Sequence, residues 1–231
     1  MSLLSTFYRL KYAFSKEVKI DDVVFPDKNL AIAILEARKG STGIGEIKKL
    51  VLSKIKNLNL EGLEHLTGLE CLDIVQCDCI NPTPLAKMPH LRELYLYLNG
   101  GMDYQLLSQL HSLKSLTIAD QFIKDLSFLE GLTQLEYLDI CSNNIGDISV
   151  LRNLKSLKVL DISENPITDF SPLEALHELE ELQISDMNLT EIRFIENLKK
   201  LKSLDVSGNP ITDYSPAQKL PHLTELIKDE E

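Results

Sequence analysis

Tryptophan is absent, and seven tyrosines and seven phenylalanines supply all the aromatic side chains of this 231-residue sequence. Any aromatic contact surface must draw on those few rings. Basic residues are also short: 24 Lys and Arg face 35 Asp and Glu, a net charge of −11. A phosphate backbone needs a basic footprint, so no nucleic-acid partner is expected. No apolar run approaches the roughly 20 residues of a membrane-spanning helix. Arg9, Lys11 and Lys16 interrupt the first 20 residues, where a secretory leader would need an unbroken apolar stretch. A cytoplasmic location is the expectation, with a secreted or surface-exposed one as the alternative if a leader has been removed.

What the sequence does contain is a period. Leucine stands at 50, 72, 94, 116, 138, 160, 182, 204 and 226, nine anchors spaced by 22 residues without an insertion. A second apolar column follows two residues later, from Leu52 and Ile74 through Ile184 and Val206, and a third precedes the anchors by three, from Ile47 to Leu223. Around each anchor the alternation is two, as in Leu138-Asp139-Ile140, which reads as a short strand with one face buried. Further on the spacing becomes three, at Ile148, Leu151, Leu154 and Leu157, the period of a 3₁₀ turn. Thr83-Pro84, Ser171-Pro172 and Ser215-Pro216 place a capping hydroxyl before a proline at the first helical position, and Ser127 and Ser149 hold the same place in two other repeats.

One strand–turn–return unit cannot bury its own apolar edge, whereas stacked units share a core. An asparagine five residues after the anchor recurs at Asn99, Asn143, Asn165 and Asn209, placed to satisfy backbone groups of the turns above and below. Ile55, Cys77, Gln121 and Met187 interrupt that column, so their turns should be less regular.

The run Leu157-Lys158-Val159-Leu160-Asp161-Ile162-Ser163-Glu164-Asn165-Pro166-Ile167-Thr168-Asp169 resembles the leucine-rich repeat family, in its bacterial internalin-like and phosphatase-regulatory subclasses. The resemblance covers residues 47–227. It implies an α/β fold: a right-handed solenoid or horseshoe, with a parallel sheet on the concave face and 3₁₀ or helical returns on the convex face. It also implies a protein partner, because internalin-like surfaces bind proteins after secretion and phosphatase-regulatory relatives dock on an enzyme.

Three segments follow: a cap region over 1–46, eight full repeats and a partial ninth strand over 47–227, and an acidic tail over 228–231. Asp27 should cap a helix carrying Leu30, Ile32, Ile34 and Leu35, with Gly40 as its stop. Val18-Lys19-Ile20 and Val23-Val24-Phe25 offer a short strand to the first edge. Leu3, Phe7, Leu10 and Phe14 form an apolar stripe, read as a helix packed on the cap; the alternative is a membrane-surface or partner-binding helix with Arg9, Lys11, Lys16 and Lys19 as its basic side.

Catalytic and metal chemistry find no constellation. Cys71 and Cys141 belong to repeats three apart, about 15 Å of stacking, and Cys77 and Cys79 flank a single residue, so four free thiols are expected. His65, His90, His111, His177 and His222 are scattered over five repeats, without a converging nucleophile or acid. No enzyme activity, cofactor or metal is expected.

The strand positions just before, just after and three after each anchor should face outward. They include Cys71, Asp73 and Val75, then Ser115, Thr117 and Ala119, and later Ser163. Tyr95, Tyr97 and Tyr137 are large aromatics in this small, polar set, and tyrosine is frequent among the residues that dominate binding energy. These three form the candidate anchor, with Phe122 projecting from a neighbouring turn and Asp139 and Asp161 as polar rim. The expected function is protein recognition by a monomer, with no membrane contact. A regulatory subunit docking on an enzyme and a peripheral membrane adaptor are the alternatives.

Overall fold

The computed structural model describes residues 18–38 and 42–229; the Leu3–Phe14 stripe, Gly40 and the last two glutamates of the tail lie outside the described residues. The chain divides into two compact units, Met1–Leu113 and Lys114–Glu231.

The first unit opens with strands β1 (Val18–Ile20) and β2 (Val23–Phe25), which pair antiparallel with each other. They had been expected to extend the first edge of the repeat sheet. Asp21 and Asp22 instead adopt left-handed conformations (φ 47° and 68°), the geometry that closes a two-residue hairpin. Helix α1 (Lys28–Ala37) follows, and Asp27 caps it as expected: one carboxylate oxygen accepts from the N–H groups of Asn29 and Leu30. The other accepts from Asn59 N–H at 2.8 Å, so one buried side chain ties the cap to the first repeats.

The repeat strands of this unit are β3 (Lys49–Ser53), β5 (Cys71–Val75) and β7 (Glu93–Tyr97), parallel and in register at 22-residue offsets. Between them, β4 (Leu58–Asn59) and β6 (Cys79–Asn81) make a second, two-stranded parallel sheet. In the second unit β8 (Ser115–Ala119), β9 (Tyr137–Asp139), β10 (Val159–Asp161), β11 (Glu181–Gln183), β12 (Ser203–Asp205) and β13 (Glu225–Ile227) pair in parallel, each with the next in sequence. The returns are 3₁₀ turns such as Ser149–Asn153 and Ser171–Ala175, the last being the short helix α2 (Ser215–Gln218).

The three leucine columns form the core: Leu72, Leu94, Leu138 and Leu160 are completely buried, as are Leu91, Leu135 and Leu157. Burying a leucine side chain is worth roughly 1.5–3 kcal/mol, which is why a unit with three such positions per repeat holds such short strands together. The asparagine column acts as expected. Asn165 donates to the carbonyls of Ile140, Ile162 and Ser163 and accepts from Ile145 N–H. Asn209 repeats the pattern with Ile184, Val206 and Ser207, and accepts from Met187 and Leu189. Three of the four breaks have less regular turns: after Ile55, Gln121 and Met187 a second left-handed residue appears, at Asn57, Phe122 and Asn188, whereas the Cys77 turn has only Gln76, and the turn that keeps Asn99 has a second one at Gly101.

The return caps depart from expectation. Ser127, Ser149, Ser171 and Ser215 stand inside the turn, and the capping acceptor is the carboxylate two residues earlier. Asp125, Asp147, Asp169 and Asp213 each accept the serine N–H at 2.8–2.9 Å. Those bonds hold all four carboxyls below the usual aspartate range.

Candidate functional site: the strand faces

In the first unit the outward rows of the sheet are read across strands: Val51, Asp73 and Tyr95 in one, Ser53, Val75 and Tyr97 in the next. Tyr95 and Tyr97 sit two apart on β7, so both rings stand on the same face. Tyr95 is half-buried, with its hydroxyl 3.4 Å from Glu93 Oε2, and Tyr97 is 42% exposed. Val51, 50% exposed, and Leu98, in a left-handed turn, extend the apolar surface beside them. Val51 had not been singled out; its place in the alternation of β3 was the available signal.

In the second unit the sheet brings Tyr137, Asp139 and Asp161 together: Asp139 pairs in register with Asp161, and Tyr137 with Val159. All three are half-buried. Phe122, on the turn after β8, is 86% exposed with φ 55°. A left-handed backbone costs a residue with a Cβ roughly 1–2 kcal/mol, so this ring is displayed against both its conformational and its solvation preference.

Four residues expected on the outward face are covered instead: Cys71, Thr117, Ala119 and Ser163. Thr117 and Ser115 lie in register with the larger Asp139 and Tyr137 of β9, so small side chains here sink below their neighbours. Ser163 is drawn into the turn, where its Oγ accepts Ser185 N–H.

The aspartates of this face also shape the backbone. Asp139, Asp161 and Asp205 each accept the N–H two residues on, from Cys141, Ser163 and Ser207. Burial, and the neighbouring Asp139 and Asp205 carboxylates, push the Asp161 carboxyl up despite its bonds from Ser163. Asp139, Cys141 and Asp161 present possible ligand atoms within 4.8 Å of one another. The thiol is pushed far above its ordinary range by burial and by those same carboxylates. All four cysteines are free thiols, as expected, and burial in the core drives Cys79 up to about 11.

On the return side of the second unit a groove of about 680 Å³ runs past Ile167, Met187 and Leu189, beneath the stacked rings of Phe170 and Phe194, 5.1 Å apart. No helix among the described residues is long and apolar enough to cross a membrane.

A family model for leucine-rich repeats, built as two copies, matches residues 111–153, 133–175 and 177–219. Internalin C2 of Listeria monocytogenes is 29% identical, over 89% of this chain and 94% of that one, and superposes with a TM-score of 0.81. The chain is thus similar to internalin-like leucine-rich repeat proteins. A leucine-rich repeat protein of Leptospira interrogans is also similar, at 26% identity over 78% of this chain and 49% of that one, with a TM-score of 0.69. The ectodomain of a plant membrane receptor kinase from Arabidopsis thaliana shares the fold, at 24% identity over 80% of this chain and 25% of its own, with a TM-score of 0.67. Leucine-rich repeat proteins generally mediate protein–protein interaction, and the strand faces are where this one displays its unusual side chains.

Proposed function

We propose that this leucine-rich repeat protein is a non-catalytic recognition module that docks a protein partner on its strand faces. The observation that supports this reading is the aromatic pair of half-buried Tyr95 and exposed Tyr97, with Val75 beside Tyr97, on a sheet whose opposite face is packed. Such rings lose little conformational entropy on binding, and truncating a tyrosine hot spot often costs about 2 kcal/mol or more. A preformed sheet also lowers the ordering cost of association. Tyr137 and Phe122 are the corresponding anchors of the second unit.

The reading is tested by placing a photo-crosslinking amino acid at position 97 or 137 and, as control, at Lys155 in a return turn. Irradiation in source-cell lysate should give a protein adduct from the strand-face positions that the Lys155 position does not give. A Tyr95→Ala substitution beside the probe at 97 should reduce that adduct severalfold. Identical adducts from all positions, or none from the strand faces, would remove the strand faces as the docking surface.

A further inference from the structure

Two neighbouring sets of rows in the second unit share the 22-residue period and treat charge in opposite ways. Just before the strands, Lys114, Glu136, Lys158, Glu180 and Lys202 alternate in sign. Lys114 and Lys158 each reach Glu136 at 2.7 Å, and Lys202 contacts Glu180. The two lysines hold the Glu136 carboxyl down to about 2. Charge in that row is compensated within the protein.

On the outward positions of β9 to β13 the charged residues are Asp139, Asp161, Glu181, Asp205 and Glu225, with no Lys or Arg among them. Asp139 and Asp161 are direct cross-strand neighbours, an arrangement of like charges that destabilises a sheet. The turn bonds do not exhaust these carboxylates, since each bond uses one of about four acceptor sites. Beside the acidic row stand Tyr137 and Val159, apolar surface suited to the stem of a long basic side chain. Among the described residues every charge of the first row has an ion-pair partner and no acid of the second row has one, so the second row displays a field suited to a partner of opposite sign.

We propose that the strand face of the second unit binds a lysine- and arginine-rich polypeptide segment, whose charged heads meet Asp139, Asp161 and Asp205 while their stems lie on Tyr137 and Val159. The proposal rests on strand-face recognition as read above and names the chemistry of its partner.

The probe is a short fluorescent peptide alternating lysine with alanine, compared with its glutamate counterpart by anisotropy, in the presence of EDTA. Asp139→Asn/Asp161→Asn/Asp205→Asn removes three charges while leaving an Oδ1 to accept each turn N–H, so folding is retained. Glu130→Gln/Glu174→Gln/Glu191→Gln removes the same number of charges from exposed return segments and serves as control. At low salt the lysine peptide should bind wild type at least about 10-fold more tightly than the triple asparagine variant, with the control variant within about 3-fold of wild type. Binding should weaken as salt shortens the Debye length, and the glutamate peptide should not bind. Equal binding by the asparagine and control variants, or no binding of the lysine peptide to wild type, overturns the proposal. If the position-137 photo-adduct persists when the lysine peptide fails, strand-face recognition stands and only the basic partner falls. If both fail, both readings fall.

Discussion

The repeat strands β3, β5 and β7 of the first unit run five residues, and those from β9 to β12 in the second run three, although the same apolar columns hold both. The difference lies in what captures the N–H three residues after the anchor. In β9, β10 and β12 it goes to the aspartate just after the anchor, and in β11 it goes to Ser163 Oγ. The carbonyl of the preceding strand's second column is taken by the asparagine: Ile118 by Asn143, Ile140 by Asn165, Ile184 by Asn209. Strand β7 keeps Asn99, which bonds the Ile74 carbonyl, but has Tyr95 in the aspartate's place and still pairs through Tyr97. In β9, β10 and β12 the aspartate thus holds a donor that the ladder would otherwise use, a competition open to short polar side chains, but Asp73 stands in the same place on β5 and that strand still pairs through Val75, so the aspartate alone does not end a strand.

The largest effect tests what the two kinds of repeat share. Leu72→Ala and Leu160→Ala each truncate a completely buried anchor and should each destabilise by about 2–5 kcal/mol in denaturant unfolding. A cost confined to one of them would show that strand length, rather than the column, decides stability. A smaller effect tests the difference itself: Asp205→Ala releases Ser207 N–H and should cost about 1 kcal/mol. If the aspartate holds that donor, the amide-exchange pattern around Ser207 should change while that of β7 stays as it was. Unchanged exchange at Ser207 would break the explanation.

The smallest effect concerns pH. Asp161 has its carboxyl pushed up in the folded state, so the native protein binds a proton more readily than the unfolded chain, and stability declines as pH rises through the folded value. Asp161→Asn should therefore raise the melting temperature at neutral pH. That advantage should fade once the pH is low enough to protonate the wild-type side chain in both states. Glu136 has the opposite sign: its contribution is present above the ordinary glutamate range and disappears as pH falls toward about 2.

Much of this was legible in advance because a 22-residue period leaves little freedom: nine leucine anchors, the asparagine column and the Asp27 cap all stand where the spacing put them. The misreadings were local. A Ser-Pro pair looks like a cap and a proline start, yet the acceptor was the aspartate two residues before, which competes better for a backbone N–H as a charged group. Val18–Phe25 has strand composition, but composition does not name a partner, and the Asp21-Asp22 turn folded it on itself.

The same division applies to the strand faces. Alternation within one strand determined which residues point outward, because successive side chains must take opposite sides of a pleat. How far each reaches solvent depended on its neighbours 22 residues away, which is why Thr117, Ala119 and Ser163 are covered while Tyr97 and Phe122 are not. The repeat, the buried columns and the charge of each row follow from residue order alone. That one row closes into Lys–Glu bridges while the row beside it sets Asp139 against Asp161 emerges in the folded sheet, because pairing is a matter of distance between strands rather than of order along the chain.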